Sequence, residues 1–240
     1  MNAEEFFEVE PPSAEKAARR ALALSVVCCR AFVEGDKGHP DRAWNLARDA
    51  REWLSSLHLE GELTEWERGL LDTRFGAISD QDRIDATWLS EAVAVFAWAL
   101  GARPEPALDE QCDPAAESGH LGFLAPAEET ALNNPALRSV EELAAYNEFL
   151  YTVHWRVRDC SLLRTSCDFR AIALKAWGEP VHKFGLELKN DDLALDGVPI
   201  TELRESDFRR LDSIVRERHR ASNWLIGHGS ADFYEVPTDT

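Results

Sequence analysis

Apolar residues recur every three or four positions through most of the chain, the spacing that lays one hydrophobic stripe along a helix. Ala17, Ala21, Leu24, Val27 and Cys28 mark such a stripe over 13–33, with Ser13 placed to cap its start and Gly35 to end it. Trp44, Ala47, Trp53, Leu54 and Leu57 mark a second over about 41–58 and turn Arg48, Asp49, Arg51 and Glu52 outward. Thr64-Glu-Trp-Glu67 has the spacing of a capping box and starts a short third helix. Ser79 caps the next, which runs to Leu100 and stops at Gly101. From Ala86 to Leu100 only Thr87, Ser90 and Glu91 are polar, so this helix has no outward face and is expected at the centre of a bundle.

Residues 102–138 carry Pro104, Pro106, Pro114, Pro126 and Pro135 and read as a long wrapping connection with only short helical turns. Ser139-Val-Glu-Glu142 is another capping box, after which Val140, Leu143, Tyr146, Leu150, Val153, Val157 and Cys160 mark one helical face to about Leu163. The final helix, 206–226, has Ser206 as its expected cap, Phe208, Leu211, Val215, Ser222 and Leu225 inside, and Gly227 at its C-terminal stop. Between these two helices the period shifts to two over Lys183–Leu188, and Asp196-Gly197 is a hairpin signal. Pro199 confines that hairpin to an edge, so a two- or three-stranded meander is expected near 181–200. The pattern as a whole predicts a mainly α, single-domain helical bundle around a central helix at about 79–100. An acidic, flexible stretch over 1–12 precedes it, and an α/β element is inserted over 165–204.

With 45% apolar residues and eight Trp in 240, the chain can bury a sizeable core. It carries 26 Lys and Arg against 44 Asp and Glu, net −18, a field that repels nucleic-acid backbones and anionic lipid surfaces. The acid excess leans forward, at 24 acidic to 12 basic residues over 1–120, so a basic protein is the partner the charge favours. The start of the chain lacks a basic, then apolar, leader pattern, and the longest apolar runs are about half of the ~20 residues a membrane span needs. A cytoplasmic protein with no membrane segment is the reading. Five cysteines in no metal-like spacing, two of them adjacent, exclude neither burial nor free thiols but predict no metal and no cofactor.

Candidate chemistry rests on charges placed against apolar faces. Glu91 has Thr87, Trp88, Ala94 and Val95 as its helical neighbours and needs a partner, for which Arg158 is the natural candidate. His154, Arg158 and Asp159 interrupt the middle of another buried helix, and Arg220 belongs to a run of arginines interleaved with acids. Asp191, Asp192 and Asp196 are binding candidates, although they lack the alternating spacing of a calcium loop and suit turns. Gly227-His-Gly229 follows a helix where a dinucleotide loop would precede one.

Four stretches stand out together: Ala86-Thr-Trp-Leu-Ser-Glu-Ala92 leading to Trp98-Ala-Leu-Gly101, Val153-His-Trp-Arg-Val-Arg-Asp159, Arg216-Glu-Arg-His-Arg-Ala-Ser-Asn-Trp-Leu225, and Val236-Pro-Thr-Asp-Thr240. They resemble the bacterial family catalogued as domain of unknown function 4272, across most of 15–240. The resemblance implies a mostly helical cytoplasmic protein and carries over no catalytic role; its matching positions are Glu91, Trp98, His154, Arg158, Asp159, Asn223, Trp224 and Asp239. The stretch from Thr165 to Leu203 departs from that pattern. Two functions follow as expectations. One is a non-catalytic, immunity- or antitoxin-like partner of a basic protein. The other is a small hydrolase or transferase with its site between the central and C-terminal helices.

Overall fold

The computed structural model describes residues 9–36, 38–178 and 186–240, and among these it is mainly helical, with eight α-helices and one three-stranded sheet. The contacts divide the chain into two compact units. No helix among the described residues is long and apolar enough to cross a membrane.

The first unit comprises, of the described residues, 12–36, 38–106 and 112–138. Its helices are α1 (Ala14–Glu34), α2 (Pro40–Ser56), α3 (Glu65–Asp72), α4 (Asp80–Ala99) and α5 (Pro114–His120). Ser13 caps α1 through Lys16 N–H at 3.2 Å, and both bonds of the Thr64–Glu67 capping box form. Helices α1 and α4 pack most extensively, because both are rich in alanine and let their backbones approach. Residues 89–99 of α4 are buried without a break, as their lack of an outward face requires. The inner face of α2 is rotated from the expected one. Ala43, Ala50 and Leu54 are buried, and Trp44 lies outside at 49% exposure, stacked beneath the Arg48 guanidinium at 5.6 Å.

The second unit comprises, of the described residues, 9–11, 107–111, 139–178 and 186–240. Residues 1–8 of the expected flexible start lie outside the described residues, as do 183–185 of the expected alternating strand. Helices α6 (Val140–Leu163) and α8 (Glu205–Leu225) form its main packed pair, and α7 (Phe169–Trp177) adds to α6. Helix α7 was implied only as part of a mixed element. Two start details differ from expectation. Val140 is exposed, being the first residue of α6, and the cap of α8 is Arg204, which leaves Ser206 in the first turn without a capping bond.

Strands β1 (Leu188–Lys189), β2 (Asp192–Leu195) and β3 (Val198–Pro199) form the predicted antiparallel meander, in the order β1-β2-β3 with Pro199 on an edge strand. Leu188 faces Leu193, and Ala194 faces Pro199. Both reversals use left-handed pairs: Asn190 and Asp191 at φ 55 and 62, then Asp196 and Gly197 at φ 50 and 72. These are the two-residue turns whose twist suits a hairpin, which accounts for Asp191 and Asp196.

Candidate functional site

Helix α6 turns Asn147, Tyr151 and His154 toward α8 at steps of four and three, so a polar seam runs along an otherwise apolar contact. Asn147 Nδ2 donates to Ser222 Oγ at 3.0 Å and to Asn223 Oδ1 at 2.6 Å. One turn earlier in α8, His219 meets His154 with their Nδ1 atoms 2.9 Å apart, so one ring donates there and the other accepts. Tyr151 closes the seam with its ring edge-on to His219, at 5.7 Å between centres. Both imidazoles are buried. Burial, then Arg158 and Arg216, hold His154 down at about 4; burial, then His154 and His228, hold His219 at about 3. The pair is therefore neutral at physiological pH. Nε2 of His219 is buried with no hydrogen-bond partner among the described residues. Asn223 also donates to Pro237 O at 2.8 Å, so the seam fastens the segment that follows α8.

The second cluster was only half visible in the sequence. Arg156 is fully buried and donates through Nε and Nη2 to the two carboxylate oxygens of Asp192 at 2.7 and 2.8 Å. Its Nη1 reaches Asp159 at 2.8 Å, and Nη2 also reaches Thr165 O at 2.9 Å. Asp192 accepts further from the backbone N–H groups of Cys167 and Leu193. Burial pushes its carboxyl up, but the bonds from Arg156 and these amides more than reverse that, leaving it below the usual carboxylate range. Asp192 thus tethers the meander to α6, Asp159 supports Arg156 from within the same helix, and Arg156 is the residue that sequence reasoning passed over. The available signal was its register: 156 lies three residues after the buried Val153 and four before the buried Cys160.

Arg158, expected as a partner for Glu91, is exposed. Arg220 donates to Glu217 on its own helix at 2.5 Å. His154, Arg158 and Arg220 share no hydrogen bond with one another. Arg218, a member of the same run of arginines, is buried and donates to the carbonyls of Ala107 and Glu110 at 2.7 and 2.8 Å. Gly227 and Gly229 serve close approach. A Cβ on Gly227 would lie 2.2 Å from Val9 O, and one on Gly229 would lie 2.3 Å from Pro237 Cδ.

Glu91 lies in the first unit, fully buried in α4, and accepts from the backbone N–H of Cys112 at 2.9 Å. That bond fixes the start of the Cys112-Asp113 segment that leads into α5. Comparable buried carboxylates in this unit are likewise bonded: Glu67 receives both ends of the Arg20 guanidinium at 2.7 and 2.8 Å, and Glu117 pairs with Arg103. Among the described residues no group of three or more His, Cys, Asp or Glu could hold a metal ion.

A family model described as Domain of unknown function (DUF4272) matches residues 2–168. Glu91, Trp98, His154, Arg158 and Asp159 fall within the match, whereas Asn223, Trp224 and Asp239 lie beyond it. The resemblance drawn from the sequence extended further, through the last helix. No curated protein and no solved structure matches the chain.

Proposed function

Because the chain belongs to this family of unknown function, the family's description supplies no activity, and from that premise we propose a non-catalytic interaction protein that takes a basic protein partner, in the manner of an immunity protein or antitoxin. The observation that carries the reading is where the ionisable side chains are spent. Asp159 and Asp192 hold Arg156, His154 holds His219, and Arg220 holds Glu217, each a bond that builds the fold. The surplus of acid behind the −18 charge is left for the surface, where Asp41, Glu65, Glu128 and Glu129 are exposed. A surface of that sign steers a basic partner and raises its association rate. The same reading places the protein in a bacterial cytoplasm, where a reducing environment keeps thiols such as its five free cysteines from pairing.

The test is retention of partners by the immobilised full chain at about 50 and about 500 mM salt, which spans weak to nearly complete screening. A second arm uses a variant carrying Asp41→Lys, Glu65→Lys, Glu128→Lys and Glu129→Lys. One stoichiometric basic protein, lost at high salt and held less by the variant, is the expected result. Retention indifferent to salt and to the four substitutions, or no partner at either salt, refutes the reading.

A further inference from the structure

The first unit contains a cavity of about 460 Å³ with a mostly apolar lining, within the span of about 300–1,000 Å³ found for small-ligand pockets. Cys29 and Phe32 of α1, Leu46 of α2, and residues of α5 and the turn after it form its walls. Gly119 in the lining contributes no side chain, and a Cβ built there meets nothing within 4 Å, so there is room at this position for a larger residue. The turn beyond α5 is held rigidly. Trp53 Nε1 donates to Ala125 O at 2.7 Å and its ring meets Phe123 edge-on at 5.3 Å. Gly122, at φ +77, fits against the backbone of Glu129, where a Cβ would approach to 2.4 Å. The cavity is therefore pre-formed.

Two features define an occupant. Phe32 and Leu124 remain 41% and 37% exposed, apolar area that a bound molecule would cover. Asp113, which is exposed to solvent, is the one carboxylate side chain in the lining. One of its oxygens accepts from Ala115 N–H at 2.9 Å, and the other has no partner among the described residues. A carboxylate beside an apolar pocket, on a chain of net charge −18, selects a positive end and rejects a negative one. We propose that this cavity binds a small amphiphilic amine. Its apolar body, about ten carbon atoms in size, lies against Phe32, Leu46, Phe123 and Leu124, with the ammonium group on Asp113.

The test uses three probes of matched shape, 4-phenylbutylamine, 4-phenylbutanol and 4-phenylbutyrate, titrated calorimetrically into the full chain. Cys29 supplies a second readout from the cavity wall. Burial, against a smaller pull from Arg30, pushes its thiol up to about 11, so its alkylation by N-ethylmaleimide is slow and sensitive to further cover. The amine is expected to bind two- to fivefold more tightly than the alcohol, the range for a partly exposed ion pair, with the butyrate weakest. Saturating amine slows alkylation of Cys29 several-fold and leaves Cys167 unchanged, as read by peptide mass spectrometry. Asp113→Asn keeps a side chain able to cap α5 and brings the amine to the level of the alcohol. Gly119→Phe fills the open space and removes binding of all three. No amine binding up to about 10 mM, an alcohol or butyrate that binds as tightly as the amine, or unprotected Cys29 at saturation overturns the proposal.

Discussion

Replacing Asp192 by Asn removes one negative charge from a site with almost no access to solvent, since Arg156 is 0% and Asp192 2% exposed. Breaking a buried pair by removing one partner costs about 3–5 kcal/mol, because the remaining charge is left uncompensated. Here Asp159 still reaches Nη1 of Arg156 at 2.8 Å, so the cost belongs at the lower end, about 3 kcal/mol. For a unit of this size that is a fall of about 10–15 °C in melting temperature. The two carboxylate oxygens also serve amides, Oδ2 that of Cys167 and Oδ1 that of Leu193, and an amide nitrogen in place of either oxygen forfeits one of these bonds, so hydrogen exchange should quicken first in β2 and in 165–168. Urea titrations followed by circular dichroism, with exchange read by mass spectrometry, measure both effects. The double variant Arg156→Met with Asp192→Leu removes the charge and its counterion together and should be more stable than Asp192→Asn alone. The depressed carboxyl adds a pH signature: its stabilisation is complete above the unfolded Asp value of about 3.9 and is lost as pH falls through the lower folded value. A single variant within about 1 kcal/mol of the wild type would refute the view that Asp192 balances a buried charge.

The histidine pair gives the opposite end of the acid range. Its folded values, about 4 and about 3, lie below the unfolded value of about 6.5, so unfolding takes up protons and stability falls as pH drops from 6.5 toward 4. Each imidazole should contribute a loss of up to about 2 kcal/mol between pH 6.5 and 5, and His154→Leu with His219→Leu should flatten the urea midpoints over that window; a wild-type profile already flat there would show that the pair charges freely when folded. Two glycines should respond in opposite directions in melting experiments. Gly122→Ala, at φ +77 with its Cβ 2.4 Å from Glu129 O, is expected to lose about 2–3 kcal/mol, and a loss below 0.5 kcal/mol would contradict the packing described. Gly69→Ala, inside α3 with nothing within 4 Å, should gain about 0.5–1 kcal/mol, and a destabilised variant would mean that α3 is not helical there.

The helices were legible because their signals are local. Ser13, Thr64, Ser79 and Ser139 all accept from the amide three residues on, a geometry that depends on the chain's own next turn and little else. The meander was legible for the same reason, since Asp196-Gly197 sets its turn without help from the core. The face of α2 was not, because tryptophan weighs heavily in any count of apolar positions although its ring can lie flat beneath Arg48 at the surface. The partners of buried charges were less legible still. Asp192 lies 36 residues from Arg156, and no spacing rule links an arginine on a helix to a carboxylate at the start of a strand. His219 was hidden within a basic run that drew attention to its arginines, and its role appears only when α8 is set against α6.

Helical register then separates arginines that build the fold from arginines that meet solvent. On α6, Arg156 points inward and fastens the meander, while Arg158, two residues later, is exposed. On α8, Arg218 points inward and holds the carbonyls of Ala107 and Glu110, while Arg216 and Arg220, two residues to either side, pair with Asp212 and Glu217. Two residues are about 200° of helical turn, so neighbours at that spacing face nearly opposite ways. The most basic stretch of the chain is thus divided between internal bonds and pairs with its own acids. Little positive charge is left there to hold an anion, and the acidic surplus elsewhere keeps the sign that a basic partner would meet.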